Sequence, residues 1–346
     1  MFEKNLKYYR LQKNLSKKAL AEACNVSPMA ITNYESGKRR PDMEVIKKLA
    51  EALGVRVADF LATRNANLTF SHCEFRKHSS LTESQQEFVR ESVEEYFSRF
   101  FDAVECLGGK PLPVPPACHT LSPTGNYEDD AKLLRKKLGL PEEGPIGELI
   151  GSLEDRGILV VEIDIQNDHF SGMNGMVNEF PYIAINKYMR SERKRTTILH
   201  ELAHMMFVDS NMDEKDNEKW ATAVAGATLI SKSDLFRELG IKKSYITKDM
   251  ALVCEEYGIS MYLLVKRAAQ VGIISAGVER DFYIEANRAD WKKNEPSRVK
   301  EEEKTQLLRQ LVFRAVNEEG VSVSRGAELL KISTSEMKNF CGLMEV

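Results

Sequence analysis

The chain has 346 residues, a length that suits two or three domains, and a formal net charge of −3 from 49 basic and 52 acidic side chains. Its hydrophobic content of 42% is sufficient for buried cores, yet no apolar run approaches the roughly 20 residues of a membrane span. The N-terminal residues lack a secretory pattern. The six cysteines contain no Cys-x-x-Cys pair: Cys24, Cys73, Cys106, Cys118, Cys254 and Cys341. Such scattered thiols are typical of a reducing compartment, so we expect a cytoplasmic protein and neither a membrane protein nor a disulfide-rich secreted domain.

The first 66 residues predict a bundle of five helices. Ser16 and Ser27 are good N-caps, and Pro28 suits the first position of a helix. The predicted helices span residues 6–13, 17–24, 29–36, 45–53 and 57–61. The short turn Asn25-Val26 joins the second and third helices into a helix-turn-helix, which places the third helix to enter the DNA major groove.

The charge of this segment favours a nucleic-acid partner. Residues 1–66 carry thirteen basic side chains against seven acidic ones, a balance of +6, whereas the rest of the chain totals −9. A basic module on an acidic body predicts a local DNA-binding surface. The expected DNA contacts are Lys17, Ser27, Met29, Thr32, Asn33, Lys38 and Arg39. In the third helix, only Thr32 and Asn33 have polar side chains that can contact base edges. A second role for this module therefore stays open, either formation of a homodimer or docking to another repressor-like protein.

This module resembles the XRE-type, phage-repressor-like DNA-binding domain. The resemblance lies in Leu20-Ala21, Val26-Ser27, Ile31 and Tyr34-Glu35-x-Gly37-Lys38-x-x-Pro41. The family often begins its first groove-facing helix with Gln, where this chain has Lys17. The resemblance implies binding to DNA.

A long amphipathic helix and a proline-rich linker follow. Residues 81–106 predict a helix with apolar side chains at helical spacing: Phe88, Val89, Val93, Tyr96, Phe97, Phe100, Phe101 and Val104. This aromatic stripe indicates packing against a neighbouring domain more than a groove for a partner protein. Residues 108–125 contain five prolines and predict a semi-rigid linker. Helices at 129–138 and 146–155 are then expected to open the next domain.

The most specific motif of the chain is His200-Glu201-Leu202-Ala203-His204. On a helix, residues four apart lie one above the other, so both imidazoles project toward one point, where they can hold a zinc ion. Glu201 lies about 100° around the helix from His200 and is placed to take a proton from a zinc-bound water. Ser191 is expected to cap this helix.

The segment before the motif predicts a small sheet. Residues 158–165 and 182–186 read as two short strands, and Gly172, Gly175 and Pro181 punctuate the stretch between them. A small sheet that leads into a zinc-binding helix is the expected scaffold for such a site.

A catalytic zinc site needs a third protein ligand and leaves one position open. The acidic candidates are Asp213, Glu214, Asp216 and Glu218. A following helix has one face marked by Ala221, Val224, Ala225, Thr228 and Leu229. Glu218 shares that face, whereas Glu214 is expected to lie before the helix, which begins near Asn217. We therefore predict Zn²⁺ held by His200, His204 and Glu218, with Glu201 as the catalytic base.

Residues 125–275 resemble the ImmA/IrrE family of metallopeptidases. The matching strings are Ile185-Asn186, Arg195-Thr-Thr-Ile198, the His200–His204 motif, Glu218-Lys-Trp-Ala221, Ile259-Ser260, Arg267 and Gly272-Ile-Ile274. Two positions depart from the family: Leu229-Ile230-Ser231 replaces Leu-Leu-Met-Pro, and Ala203 replaces a common Gly. The resemblance implies zinc-dependent cleavage of a protein, typically a helix-turn-helix repressor that controls stress or mobile-element genes.

The remaining chain predicts helices. Residues 301–304 are expected to be charged and exposed, helices are expected at 305–318 and 324–331, and Ser333 is expected to cap a final helix. The predicted fold is multidomain and mainly α, with an all-α helix-turn-helix domain, an α+β zincin-like domain with a small sheet, and a helical tail. The predicted boundaries are 1–66, 67–125 for the connector and linker, 126–290 for the metallopeptidase domain, and 291–346.

The sequence therefore predicts a DNA-associated zinc endopeptidase that cleaves a repressor-like protein. The alternative is a transcriptional regulator or antitoxin whose peptidase-like domain senses or binds a partner without proteolysis. The residue that stabilises the oxyanion stays open among His169, Tyr182, Tyr188, Tyr257 and Arg267.

Overall fold

The computed structural model describes residues 1–72, 81–109, 111–208, 212–291, 295 and 302–342. Cys73 and residue 301, which are named above, lie outside these ranges. The chain forms two compact units: Met1–Pro111 together with Leu308–Val346, and Leu112–Leu307. Among the helices that the structure describes, none is long and apolar enough to cross a membrane.

The N-terminal segment forms the five predicted helices. They are α1 (Phe2–Gln12), α2 (Lys17–Cys24), α3 (Pro28–Glu35), α4 (Met43–Leu53) and α5 (Val57–Leu61). The Ser16 and Ser27 side chains accept hydrogen bonds from the N–H groups of Ala19 and Ala30, so both serines cap helices as expected. Asn25, at φ 55° and ψ 47°, makes the left-handed turn between α2 and α3.

The core of this bundle contains a buried ion pair beside its apolar residues. The fully buried apolar side chains include Leu6, Leu20, Ile31, Leu49, Leu53 and Phe60. Arg10, on α1, forms a bidentate pair with Glu35, the last residue of α3, and also donates to the Leu15 carbonyl at 2.9 Å. Because both side chains are about 95% buried, the pair fixes the end of α3 against α1.

The same compact unit contains a three-residue strand and a long helix, β1 (Phe70–His72) and α6 (Glu83–Cys106). Thr82 and Gln85 form a capping box at the start of α6. Most of the aromatic stripe is buried, including Phe88, Phe97, Phe100 and Phe101. The stripe therefore packs into a core, as predicted.

The second unit combines helices with a small sheet. Its helices are α7 (Tyr127–Leu138), α8 (Leu149–Glu154), α9 (Ser191–Met206), α10 (Glu214–Leu229), α11 (Lys232–Leu239), α12 (Met250–Tyr257), α13 (Met261–Gln270) and α14 (Ala276–Arg288). Its strands are β2 (Leu159–Ile163), β3 (Gly172–Val177) and β4 (Phe180–Asn186). Central β4 pairs in parallel with β2 and antiparallel with β3. A mainly helical chain with a helix-turn-helix domain and a small sheet confirms the predicted fold class.

Strand β3 corrects the expectation of two strands in this region. Gly172 and Gly175 read as turn punctuation because glycine weakens a strand. At Gly172, however, an added Cβ would lie 2.7 Å from the Thr197 methyl group of α9 and 3.1 Å from the Ala184 carbonyl of β4. This glycine therefore allows the strand to lie directly against the helix.

The final helices belong to the first compact unit. They are α15 (Leu307–Asn317), α16 (Val323–Leu330) and α17 (Thr334–Cys341). Ser322 caps α16, and Ser333 caps α17 as predicted.

The segment before α15 corrects a second expectation, because Glu303 is only 3% exposed. Its carboxylate accepts hydrogen bonds from the N–H groups of Leu149 and Ile150 at 3.1 and 3.0 Å, and it pairs with the Arg195 guanidinium. Ser191 does not cap α9; Arg190 occupies that position, and the Ser191 hydroxyl accepts a hydrogen bond from the Glu303 N–H. A carboxylate can be buried here because a helix N-terminus and a guanidinium both compensate its charge.

Replacement of Glu303 with Ala is expected to destabilise the protein by about 3 kcal/mol or more, because Arg195 would remain as a buried charge without its carboxylate. Denaturant unfolding followed by circular dichroism measures the effect. The matched control is Glu302→Ala, which removes a carboxylate that is 70% exposed and is expected to change stability little. Equal unfolding midpoints for the two variants would contradict the structural role of Glu303.

Candidate metal centre

Helices α9 and α10 bring three potential metal ligands together. His200 and His204 lie four residues apart on α9, and Glu218 lies in the second turn of α10. Among the described residues, these three side chains form the group of His, Cys, Asp and Glu that is close enough to share one ion. The side chains are 13%, 19% and 27% exposed, so the cluster is shielded but open to solvent.

The distances within the cluster fit a tetrahedral zinc ion. The Nε2 atoms of His200 and His204 are 3.2 Å apart, and they lie 3.3 and 3.4 Å from the two carboxylate oxygens of Glu218. Ligand atoms bound at about 2.0–2.2 Å to a tetrahedral ion lie about 3.3–3.6 Å from one another. The donor set, two imidazoles and one carboxylate, also matches a catalytic zinc site that keeps its fourth position for water.

Thr222 sets the orientation of one imidazole. Its hydroxyl donates to the Glu218 carbonyl at 2.8 Å, so it is left to accept from His200 Nδ1 at 3.3 Å. This arrangement places the proton of neutral His200 on Nδ1 and leaves the Nε2 lone pair directed at the cluster. Thr222 was not among the predicted site residues, although it lies one helical turn after Glu218 and so on the same face of α10.

Glu201 lies beside the cluster and is held by β3. The residue is 8% exposed, and its Oε2 accepts a hydrogen bond of 2.7 Å from Asn174 Nδ2. One carboxylate oxygen is thereby fixed to the sheet. Asn174 was not among the predicted site residues, because the strand that carries it, β3, was not predicted.

The start of α10 differs from the prediction. The helix begins at Glu214, with Asp213 as its N-cap, and not near Asn217. The Asp213 side chain accepts from the Asp216 N–H, which explains the earlier start, and Asp216 forms an ion pair with Lys219. Asp213, Glu214 and Asp216 are exposed and lie outside the cluster.

The candidates for oxyanion stabilisation fall into two groups. Arg267 is 1% exposed and bonds to Glu128 and the Ile230 carbonyl, Tyr257 bonds to Arg237 and Glu238, and Tyr182 is fully buried. These side chains are committed to the core. His169 and Tyr188 are exposed, and the Tyr188 hydroxyl donates to Asp164 at 2.6 Å.

The predicted DNA contacts lie on and beside α3. Met29 is 66% exposed, and Lys38 and Arg39 are exposed after the helix. Lys17 is 45% exposed and lies 3.6 Å from Glu35. The Ser27 hydroxyl caps α3, and the Thr32 hydroxyl donates to the Pro28 carbonyl. Thr32 and Asn33 are half-buried.

The fold and the cluster together define a helix-turn-helix regulator joined to a metallopeptidase-type domain. A helix-turn-helix family model matches residues 6–60, and a model described as an IrrE N-terminal-like domain matches residues 153–269. The chain therefore belongs to the helix-turn-helix transcription-regulator family and carries an IrrE-like peptidase domain after its N-terminal module.

Two curated relatives match the N-terminal module. An uncharacterized helix-turn-helix-type transcriptional regulator of Methanocaldococcus jannaschii is 39% identical over 54 residues, which is 16% of this chain and 82% of the relative. A multi-protein-binding factor 1 candidate of Yarrowia lipolytica is 35% identical over 48 residues, which is 14% of this chain and 32% of the relative. No solved structure matches the chain.

Replacement of Gly172 with Ala is expected to destabilise the protein by about 1–3 kcal/mol, because the new methyl group would push β3 away from α9. Gly147→Ala is the matched control, since no described atom lies within 4 Å of its added Cβ. Thermal unfolding followed by circular dichroism measures both variants, and an unchanged midpoint for Gly172→Ala would contradict the close approach of β3 and α9.

Proposed function

We propose that the protein is a DNA-associated, zinc-dependent endopeptidase that cleaves a repressor-like regulator. The observation that carries this proposal is the cluster of His200, His204 and Glu218, whose separations of 3.2–3.4 Å suit one tetrahedral ion, with Glu201 beside it. The IrrE-like family match supports the same chemistry.

His200, His204 and Glu218 would hold the zinc ion in this mechanism. The bound ion would polarise the scissile carbonyl and lower the pKa of the attacking water. Glu201 takes the proton of that water on Oε1, since Asn174 holds Oε2. Glu201 then passes the proton to the leaving amine. Thr222 keeps His200 in the tautomer that the site requires.

The N-terminal module gives this activity its location. Helix α3 would enter the major groove, where Met29, Thr32 and Asn33 would face base pairs. Lys17, Lys38 and Arg39 would neutralise phosphates, and the Ser27 end of the helix would lie near the DNA backbone. A repressor bound at a neighbouring site would then meet the peptidase at high local concentration. Residues 126–290 are the proposed metallopeptidase domain.

We expect the purified protein to bind about one zinc ion per chain, and the His200→Ala/His204→Ala variant to bind none. Glu218→Gln is expected to lose most zinc, whereas Glu214→Gln, an exposed acidic residue on the same helix, retains it. Thr222→Val is expected to lower zinc affinity about 10- to 100-fold, because His200 loses its orienting acceptor. Metal analysis and chelator competition measure these effects. Undiminished zinc in the double histidine variant would overturn the ligand assignment.

We expect Glu201→Gln to retain zinc and lose proteolysis by at least about 100-fold, since an amide does not accept the proton. The assay incubates helix-turn-helix repressors from the source genome with the protein, with and without a zinc chelator, and follows cleavage by mass spectrometry. If Glu201→Gln leaves the regulatory output in cells unchanged while Asn33→Ala abolishes it, the protein regulates without cutting, as a regulator or antitoxin does.

A further inference from the structure

The three C-terminal helices repeat the architecture of the N-terminal helix-turn-helix. Helices α2 and α3 have eight residues each, as do α16 and α17, and α1 and α15 have eleven residues each. In sequence, α2–α3 aligns with α16–α17 without gaps when 306 is added to each residue number. Under this shift, Ser16 corresponds to Ser322, and Ser27 corresponds to Ser333.

The two turns have the same backbone geometry. Asn25 lies at φ 55° and ψ 47°, and its counterpart Lys331 lies at φ 55° and ψ 39°. In each turn the N–H of the next residue bonds 3.0 Å to the carbonyl five residues earlier, from Val26 to Ala21 and from Ile332 to Ala327. A left-handed conformation is uncommon for a residue other than glycine, so this match at an Asn and at a Lys reflects the same turn.

The two segments also bury corresponding positions. Ala21 and Ala327, in the first helix of each helix-turn-helix segment, are buried. Ile31 and Met337, in the second helix of each segment, are buried as well. Gly326 lets the C-terminal helices pack closely, because an added Cβ would lie 2.7 Å from a Val316 methyl group and 2.9 Å from the Met337 methyl group. The C-terminal helices therefore form a three-helix core of their own.

Helix α16 packs against α6, and ion pairs join the two helices. Lys331 pairs with Glu95 at 2.9 Å, Arg325 pairs with Asp102 at 2.8 Å, and Arg99 donates to the Leu329 carbonyl. In the next helix, α17, Met337 is buried, Cys341 is half-buried and the other residues are exposed.

Helix α17 offers side chains suited to a nucleic-acid groove. Its exposed polar residues are Thr334, Ser335, Glu336, Lys338 and Asn339. The Glu336 carboxylate accepts hydrogen bonds from the Ser333 N–H and hydroxyl, so it belongs to the capping box at the start of the helix. Asn339 occupies the position of Asn33, and Asn and Lys are side chains that read adenine and guanine edges. In the part of the chain that the structure describes, neither Lys338 nor Arg309 pairs with a carboxylate. The Arg309 guanidinium lies 4.3 Å from the Phe340 ring, so it adds positive charge beside α17.

We propose that α15–α17 form a second helix-turn-helix and that α17 is a second DNA-reading helix, so that one chain recognises a two-part DNA site. The partner is duplex DNA, because the exposed face combines uncharged hydrogen-bonding groups with the positive charges of Lys338 and Arg309, while the Glu336 carboxylate is bonded to Ser333. This inference does not depend on proteolysis.

The test selects duplexes from a pool with a random region of about 40 base pairs, which accommodates two half-sites separated by one or more helical turns. The full chain is expected to select a motif with two separate elements. Lys338→Glu/Asn339→Ala is expected to lose one element, and Asn33→Ala the other. For the two-element duplex, each variant is expected to bind at least about tenfold more weakly. Loss of the Lys338 contact also lowers the slope of log affinity against log salt by about 0.9.

Arg314→Glu is the matched control, because it reverses one charge on α15, where Arg314 is 56% exposed and pairs with Glu318. It is expected to keep both elements. Thermal unfolding confirms that the α17 variant is folded. The proposal is overturned if the α17 variant selects the same motif with unchanged affinity and salt slope. If only Asn33→Ala loses DNA binding, α3 is the DNA-binding helix and α17 does not read DNA, which also overturns the proposal. An acidic protein captured by α17 in place of DNA would likewise overturn the proposal.

Discussion

The close packing of α9 against α10 is the interaction on which the candidate centre depends. Ala203 on α9 and Ala221 and Ala225 on α10 are fully buried, and their small side chains allow the helices to approach. Larger residues at these positions would separate Glu218 from His200 and His204, because helix spacing follows the side chains at the contact. The geometry of the cluster is therefore a property of apolar packing as much as of the ligands themselves.

Packing determines how far apart the two helices lie, and polar contacts around them determine how the side chains of the cluster are oriented. Thr222 orients an imidazole from α10, and Asn174 holds Glu201 from the sheet. At the start of α9, Arg195 bonds to the Ile146 and Gly147 carbonyls as well as to Glu303. Groups from other parts of the unit thus hold the helix near its start and at His200 and Glu201. Rigid support of this kind keeps a catalytic group in place without the entropy cost of ordering it during the reaction.

The sequence allowed the central features to be predicted where the responsible contacts are local. The spacing of His200 and His204 and the helical phase of Glu218 are periodic patterns, so the cluster follows from them. Asn174 and Glu303 were missed because their partners are 27 and 108 residues away, and a single sequence carries no signal for such pairs. Strand β3 was missed since its glycines serve close packing, a tertiary role that outweighs their low strand propensity.

The first compact unit is built from both ends of the sequence, and this has a consequence for the order of folding during synthesis. Arg99 and the Leu329 carbonyl that it contacts are separated by 230 residues. Helix α6 therefore leaves the ribosome long before α16 exists, and domains generally fold as units as they emerge. While the whole peptidase-like unit is synthesised, the part of α6 that contacts α16 in the finished protein stays exposed. A nascent chain would thus complete its second unit before its first.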